Sequence, residues 1–288
     1  MKVARERGLV LASHVLKIFG ERNTGTRALA RTVATLPGVT RRIGTLPRLT
    51  PEQDVVMAIV QAKIPGRWRN LYRGAIRDDA FTRGAPDDLW KHAVPRLTPG
   101  AIKVGAATLI MVRNPYSWAL SLCKRPYHQV GPRVEDFAEF ITLPWMTERR
   151  EGTPAVLGSP VDLWSVKVRG SLAYQAEARE KGLGCEVIRF EDFVQDPQTV
   201  TAAALEKLGL PTAPLVNVQK NTKRKGLSVE KLRRRYAEEA WRADLTPETV
   251  ATVTERIDWD LANKLGYTKI APEEVGTSDG EAGAAATA

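Results

Sequence analysis

Residues 15–27 read VLKIFGERNTGTR: an apolar run, then a loop that opens on Gly20, carries Glu21, Arg22, Asn23 and Thr24, and reaches Gly25 before Thr26 and Arg27. Four residues separate the two glycines, and a helix-like pattern follows over residues 26–35. A buried strand running through such a loop into a helix has the spacing of a phosphate-binding loop. Glycines let the backbone curl until several N–H groups and a helix N-terminus face one anion. A Walker loop would place Lys and Ser or Thr after the second glycine. Thr26 and Arg27 stand there instead, so the parts that serve the β and γ phosphates of a magnesium nucleotide are missing. The same spacing suits a glycine turn that holds no ligand, and the loop alone leaves both readings open.

Two more runs follow the same plan. Residues 108–112 (TLIMV) and 185–190 (CEVIRF) are short and apolar, and each leads through a turn into a helix-like pattern. Repeated units of this kind predict a parallel sheet. Helical patterns over residues 115–124, 134–141, 162–181, 199–208, 227–243 and 247–265 make the chain helix-rich. The expected fold is therefore α/β, a three-layer αβα sandwich around a mainly parallel sheet. Ligands in such folds sit at the carboxyl ends of the strands, here the loops after Phe19 and Val112. In the second loop Pro115 suits the first turn of a helix, which puts Arg113 at the strand end and Ser121 nearly two turns in. A guanidinium beside a hydroxyl can clasp a second anion. A surface ion pair and an ordinary helix serine are the bland reading of the same residues.

Composition narrows the class. The chain has 288 residues, with 43 Lys and Arg against 33 Asp and Glu, a net charge of +10, and 43% hydrophobic residues. It can bury a core, which excludes wholesale disorder, and Cys123 and Cys185 are too few for a disulfide scaffold. Residues 271–288 hold four acidic and no basic residues, so the expected organisation is one domain over 1–270 followed by a disordered tail. Without those four acids the body carries about +14. The basic N-terminus with GLVLAS imitates a targeting peptide, but Ser13, His14 and Lys17 interrupt the apolar run. No apolar stretch approaches the roughly 20 residues of a membrane helix. A soluble, cytoplasmic protein without a membrane span is expected.

With these loops in place, the sequence resembles the sulfotransferases that use 3′-phosphoadenosine 5′-phosphosulfate. GERNTGTRAL at residues 20–29, RNPYSWALS at 113–121 and VIRFEDFVQDPQ at 187–198 look like that family's signature segments, in the family's order. The resemblance implies that Arg22, Asn23, Thr24, Gly25 and Thr26 receive the 5′-phosphosulfate, with Arg27 beside them. It implies that Arg113 and Ser121 hold the 3′-phosphate and that Phe190 lies near the adenine. Arg224-Lys225-Gly226 is similar to a late family motif that also reaches the 3′-phosphate. Gly25-Thr26-Arg27 is similar to the Gly-Gly-Thr-Arg loop of glycosaminoglycan sulfotransferases. Sulfuryl transfer from this donor needs no metal, in keeping with the departure from the Walker pattern. Many members carry a catalytic lysine in the loop; here the cationic role falls to Arg22 or to Lys91.

The acceptor side is less legible. His92, in LWKHAVP at residues 89–95, is similar to the Lys-Thr-His-Leu-Pro segment of cytosolic sulfotransferases. A neutral imidazole suits the removal of a proton from an attacking hydroxyl, and Lys91 could stabilise charge on the leaving group. The bland alternative is a histidine bonded to backbone. His128 lies in a segment resembling bacterial members and reads equally as a structural loop; His14 reads as structural. Residues 67–77 interleave arginines with Trp68 and Tyr72, which could stack on a sugar and pair with an acid, although a core-facing stripe at four-residue spacing is favoured. The basic run at 220–235 reads as a solvated helix face. Glu191 and Asp192, adjacent at a strand end, point apart and do not form a carboxylate pair.

The expected activity is sulfuryl transfer to a hydroxyl or amine of a carbohydrate or small molecule, without a nucleic-acid partner. A P-loop nucleotide or small-molecule kinase and a non-catalytic polyanion-binding module are the alternatives. Acceptor identity and oligomeric state are left open.

Overall fold

The three apolar runs become three adjacent strands of one sheet. In the computed structural model, which describes residues 14–276 except 46, 85–88, 128–132 and 219–227, the chain opens with β1 (His14–Gly20), α1 (Thr26–Thr32), β2 (Val39–Arg42), α2 (Pro51–Lys63) and α3 (Arg69–Gly84). It continues through α4 (Pro99–Lys103), β3 (Ala107–Val112), α5 (Pro115–Lys124), α6 (Phe137–Phe140) and a two-stranded ladder of β4 (Trp145–Met146) and β5 (Val156–Leu157). Then come α7 (Asp162–Glu180), β6 (Cys185–Arg189), α8 (Phe190–Gln195), α9 (Pro197–Lys207), α10 (Val229–Ala237), α11 (Pro247–Arg256) and α12 (Trp259–Lys264).

The main sheet has the order β2-β1-β3-β6, with every neighbouring pair parallel. β3 is buried along its whole length and β1 from Leu16 onward, as parallel strands covered on both faces must be. Alternation divides their side chains between two cores. Leu16, Ile18, Leu109 and Met111 pack with Leu29 of α1, Phe193 of α8 and Leu205 of α9. Phe19, Ile110 and Val112 pack on the other face with Trp118 of α5 and Trp164 of α7. The expected three-layer α/β sandwich is the observed one. From β1 the chain adds β2 on one side and β3 on the other, so the crevice above their carboxyl ends is the switch point of the sheet.

Several expectations change. The third run stops as a strand at Arg189, and Phe190 begins α8, because the residues after it turn to pack Phe193 and Val194 inward. The helix expected over 247–265 is two, since the Asp258 side chain accepts the Leu261 N–H and starts α12 afresh. The folded body runs past 270. Residues 272–274 form a turn, Val275 is buried in the core, and Glu274 binds Arg242 at 2.6 Å. Trp68 and Tyr72 do not face the core; they are 43% and 47% exposed. No helix among the described residues is long and apolar enough to cross a membrane.

Candidate active site

The loop after β1 is shaped by its two glycines. Gly20 has φ 151° and Gly25 φ 89°, and a Cβ on Gly25 would lie 2.9 Å from the Phe190 ring. Only glycine permits that turn and that approach. Thr24 turns inward, its hydroxyl donating to the Glu21 carbonyl at 2.6 Å. The backbone N–H groups of Gly25, Thr26 and Arg27 meet no acceptor among the described residues, because the first turn of a helix has no preceding carbonyls to receive them.

Above the loop lies a cavity of about 590 Å³, within the ~300–1,000 Å³ range of small-molecule sites. Arg22, Asn23, Gly25, Thr26 and Arg27 line one side; His92, Arg113, Ser121 and Phe190 line the rest. The wall holds five arginines, Arg22, Arg27, Arg31, Arg113 and Arg125, and no carboxylate among the described residues. Thr24 and Lys91 are not part of it. Lys91 is buried beside the loop, where burial first and the charges of Arg27 and Arg22 next hold its ammonium below the usual lysine range. Arg224, Lys225 and Gly226, like His128, lie outside the described residues. His14 is the exposed first residue of β1.

Arg113 is buried at the end of β3 and held by several partners. Its Nε donates to Ser117 Oγ at 3.0 Å, Nη1 to the Asn23 carbonyl at 2.8 Å, and Nη2 to the Ser117 carbonyl at 2.8 Å and to the Tyr236 hydroxyl. Its guanidinium lies 4.8 Å from the centre of the Phe190 ring. Tyr236, from α10, stands edge-on to the same ring at 5.0 Å. Ser121 lies on α5, which Asn114 caps by accepting the N–H groups of Tyr116 and Ser117.

His92 is fixed by backbone. Its Nδ1 lies 2.6 Å from the Gly20 carbonyl, which can only accept, so Nδ1 carries the proton and Nε2 is the basic nitrogen. Burial first, and then the charge of Arg22, push the imidazole well below its ordinary value, so it is neutral at pH 7. Arg22 lies 4.8 Å from the Trp90 ring and 4.0 Å from the Tyr127 ring.

Behind these residues lies a network that sequence reasoning missed. Lys167 of α7 pairs with Glu151 at 2.9 Å and Glu21 at 3.3 Å, and also donates to the His92 carbonyl. Tyr127 donates its hydroxyl to Glu21. Burial raises the Glu21 carboxyl despite the lysine, and pushes the Tyr127 hydroxyl well above its ordinary value. Glu21 and Lys167 are 146 positions apart, and no local pattern links them. Arg31 could have been found: it follows Arg27 by four on α1 and shares its face. Glu191 and Asp192 prove to be scaffold for a different reason than strand geometry. Both lie in the first turn of α8; Glu191 accepts the Asn114 N–H and the Tyr267 hydroxyl, both at 3.0 Å, while Asp192 pairs with Arg189 at 3.7 Å.

Fold and cavity define an α/β protein with an arginine-walled cavity and a neutral histidine in its lining. No family model and no curated protein matches the chain by sequence. Among solved structures it is similar to a sulfotransferase from Alicyclobacillus acidocaldarius, at 19% identity and TM-score 0.40, over 89% of this chain and 97% of that one. It is also similar to the sulfotransferase domain from the curacin biosynthetic pathway, at 14% identity and TM-score 0.42, over 90% of this chain and 99% of the other.

Proposed function

We propose that the protein is a sulfotransferase that takes a sulfuryl group from 3′-phosphoadenosine 5′-phosphosulfate and passes it to a hydroxyl or amine of an acceptor, a carbohydrate or other small molecule. The observation that carries this reading is the cavity wall, which among the described residues holds five arginines, no carboxylate and a neutral His92 beside the carboxyl ends of β1 and β3. Such a wall suits a ligand with several negative charges.

The residues fit the donor. The open N–H groups at Gly25, Thr26 and Arg27, with the Arg22 and Arg27 guanidiniums, form the anion cradle for its 5′ end. Arg113 and Ser121 face the 3′-phosphate, and Phe190 offers an aromatic face. Four of the five N–H groups of Arg113 are engaged, and the contact to Tyr236 is the one that comes from outside the two loops. That contact is the one a phosphate oxygen would replace. When bound, the donor supplies an activated sulfuryl group. His92 Nε2 takes the proton from the acceptor, because its ring is neutral and its tautomer is set by Gly20. Arg22, held between two aromatic rings, keeps a positive charge at the reaction centre, and Lys167 fixes the backbone of the base.

The test is incubation with sulfur-labelled donor and a panel of hydroxyl and amine acceptors, wild type against His92→Ala. Labelled product with wild type and a loss of about 10² or more with the variant are expected for a general base. Turnover of magnesium ATP in place of sulfuryl transfer would instead make the protein a kinase.

A further inference from the structure

Beside the cavity, α3 carries a cluster of cations that the donor site does not use. Arg73 and Arg77 are four residues apart and share one face of the helix. Arg77 is half-buried, its Nε is shielded from solvent, and it makes no hydrogen bond or ion pair among the described residues. The Nε of Arg73 is likewise buried without a partner, though its Nη2 donates to Gln61 at 2.9 Å.

The nearby carboxylates are committed elsewhere. Asp78 binds Arg150 at 2.7 Å, Glu148 also pairs with Arg150, and Asp79 pairs with Arg83. The cluster is joined to the reaction centre by a short chain of contacts. Arg150 donates to the Gly74 carbonyl of α3 at 3.2 Å and lies 4.5 Å from the Trp90 ring, the ring that also carries Arg22. Burial first, then the charge of Arg73 and then that of Arg22, lowers the guanidinium of Arg77. Tyr72 on the same helix and Trp68 in the turn before it are exposed.

A half-buried cation that has like charge close by and makes no ion pair of its own among the described residues is unfavourable unless an anion arrives. We infer that Arg77, with Arg73, is the subsite for an oxyanion on the acceptor, and that the acceptor is a hydroxyl compound bearing a carboxylate or sulfate. This inference rests on the sulfotransferase reading for the word acceptor only; the anion site itself does not depend on it.

The test uses three probes that share one 4-nitrophenyl glycoside frame and differ only in the group at C6: 4-nitrophenyl glucuronide, the 6-sulfated 4-nitrophenyl glucoside and the uncharged glucoside. Their affinities are measured by calorimetry with 3′-phosphoadenosine 5′-phosphate present, for wild type, Arg77→Gln and Arg77→Lys. Wild type is expected to favour one or both anionic probes by roughly tenfold to a hundredfold, the value of a charge-assisted hydrogen bond. Arg77→Gln should erase that preference and Arg77→Lys should keep most of it, with bisphosphate affinity the same in all three proteins. Which anionic probe binds tighter distinguishes carboxylate from sulfate. Equal affinity for charged and neutral probes in wild type, or equal weakening of all three by Arg77→Gln, overturns the subsite. A preference that survives while the bisphosphate fails to bind would sink the donor reading and leave the subsite standing.

Discussion

Lys167 is the residue whose removal should be felt most widely. Its ammonium is the counter-charge to Glu21 and Glu151, whose side chains are 7% and 0% exposed, and it holds the carbonyl of His92. Lys167→Met keeps an unbranched side chain one atom shorter and removes the ammonium that faces two buried carboxylates. Breaking a buried pair in this way costs about 3–5 kcal/mol, or roughly 6–20 °C in Tm. The pH dependence has a definite sign. Burial already holds Glu21 above its ordinary value, and the lysine that pulls it down is gone in the variant. A carboxyl raised in the folded state favours folding below its unfolded pKa, and that stability is lost as pH rises through the folded pKa. The deficit of the variant should therefore be full at neutral pH and shrink as pH falls toward the ordinary carboxylate range, about 4.3. Urea unfolding followed by tryptophan fluorescence from pH 4.5 to about 8 measures it. A deficit under about 1 kcal/mol at neutral pH, or one that does not change with pH, would refute the reasoning.

Three other outcomes are expected. Arg113→Ala should weaken 3′-phosphoadenosine 5′-phosphate by roughly tenfold to a hundredfold and leave the KM of the acceptor nearly unchanged, because charged hydrogen bonds are lost at the donor alone; equal losses on both ligands count against the assignment. His92 sits well below the ordinary histidine range, so kcat/KM for the proposed transfer should stay flat across about pH 6.5 to 8 and decline only in more acidic buffer; a half-loss of rate near pH 6.5 in the profile of the wild-type protein would contradict the burial argument. Burial pushes the Cys185 thiol up to about 12, and its side chain is buried at the start of β6, so it should resist alkylation in the native protein and react only on unfolding; rapid native labelling of Cys185, mapped by mass spectrometry, would be inconsistent with the core as described.

Legibility in the sequence followed the number of neighbours a segment needs. β1 and β3 are covered on both faces, and their unbroken apolar runs announce them. β2 reads VTRR, lies at the sheet edge and buries little, so four residues with two arginines gave no strand signal. Phe190 was read as strand because apolar character continues past Arg189, whereas the hydrogen bonding changes there to that of α8. The loop from Gly20 to Arg27 and the pair Arg113 and Ser121 are local, and the cavity brings them together. The Glu21, Lys167 and Glu151 network comes from three distant segments whose only common feature is burial. The exposure of Trp68 and Tyr72 was hidden for a related reason: four-residue spacing marks one face of a helix without saying what lies against it.

The central claim is that the arginine-walled cavity is built for a nucleotide phosphorylated at both ends. Calorimetric titration of 3′-phosphoadenosine 5′-phosphate beside adenosine 5′-monophosphate tests it most directly, since the two differ by the 3′-phosphate assigned to Arg113 and Ser121. The account predicts saturable one-to-one binding of the bisphosphate, at least about tenfold tighter than the monophosphate. Failure of the bisphosphate to bind, or equal affinity for the two nucleotides, would contradict it.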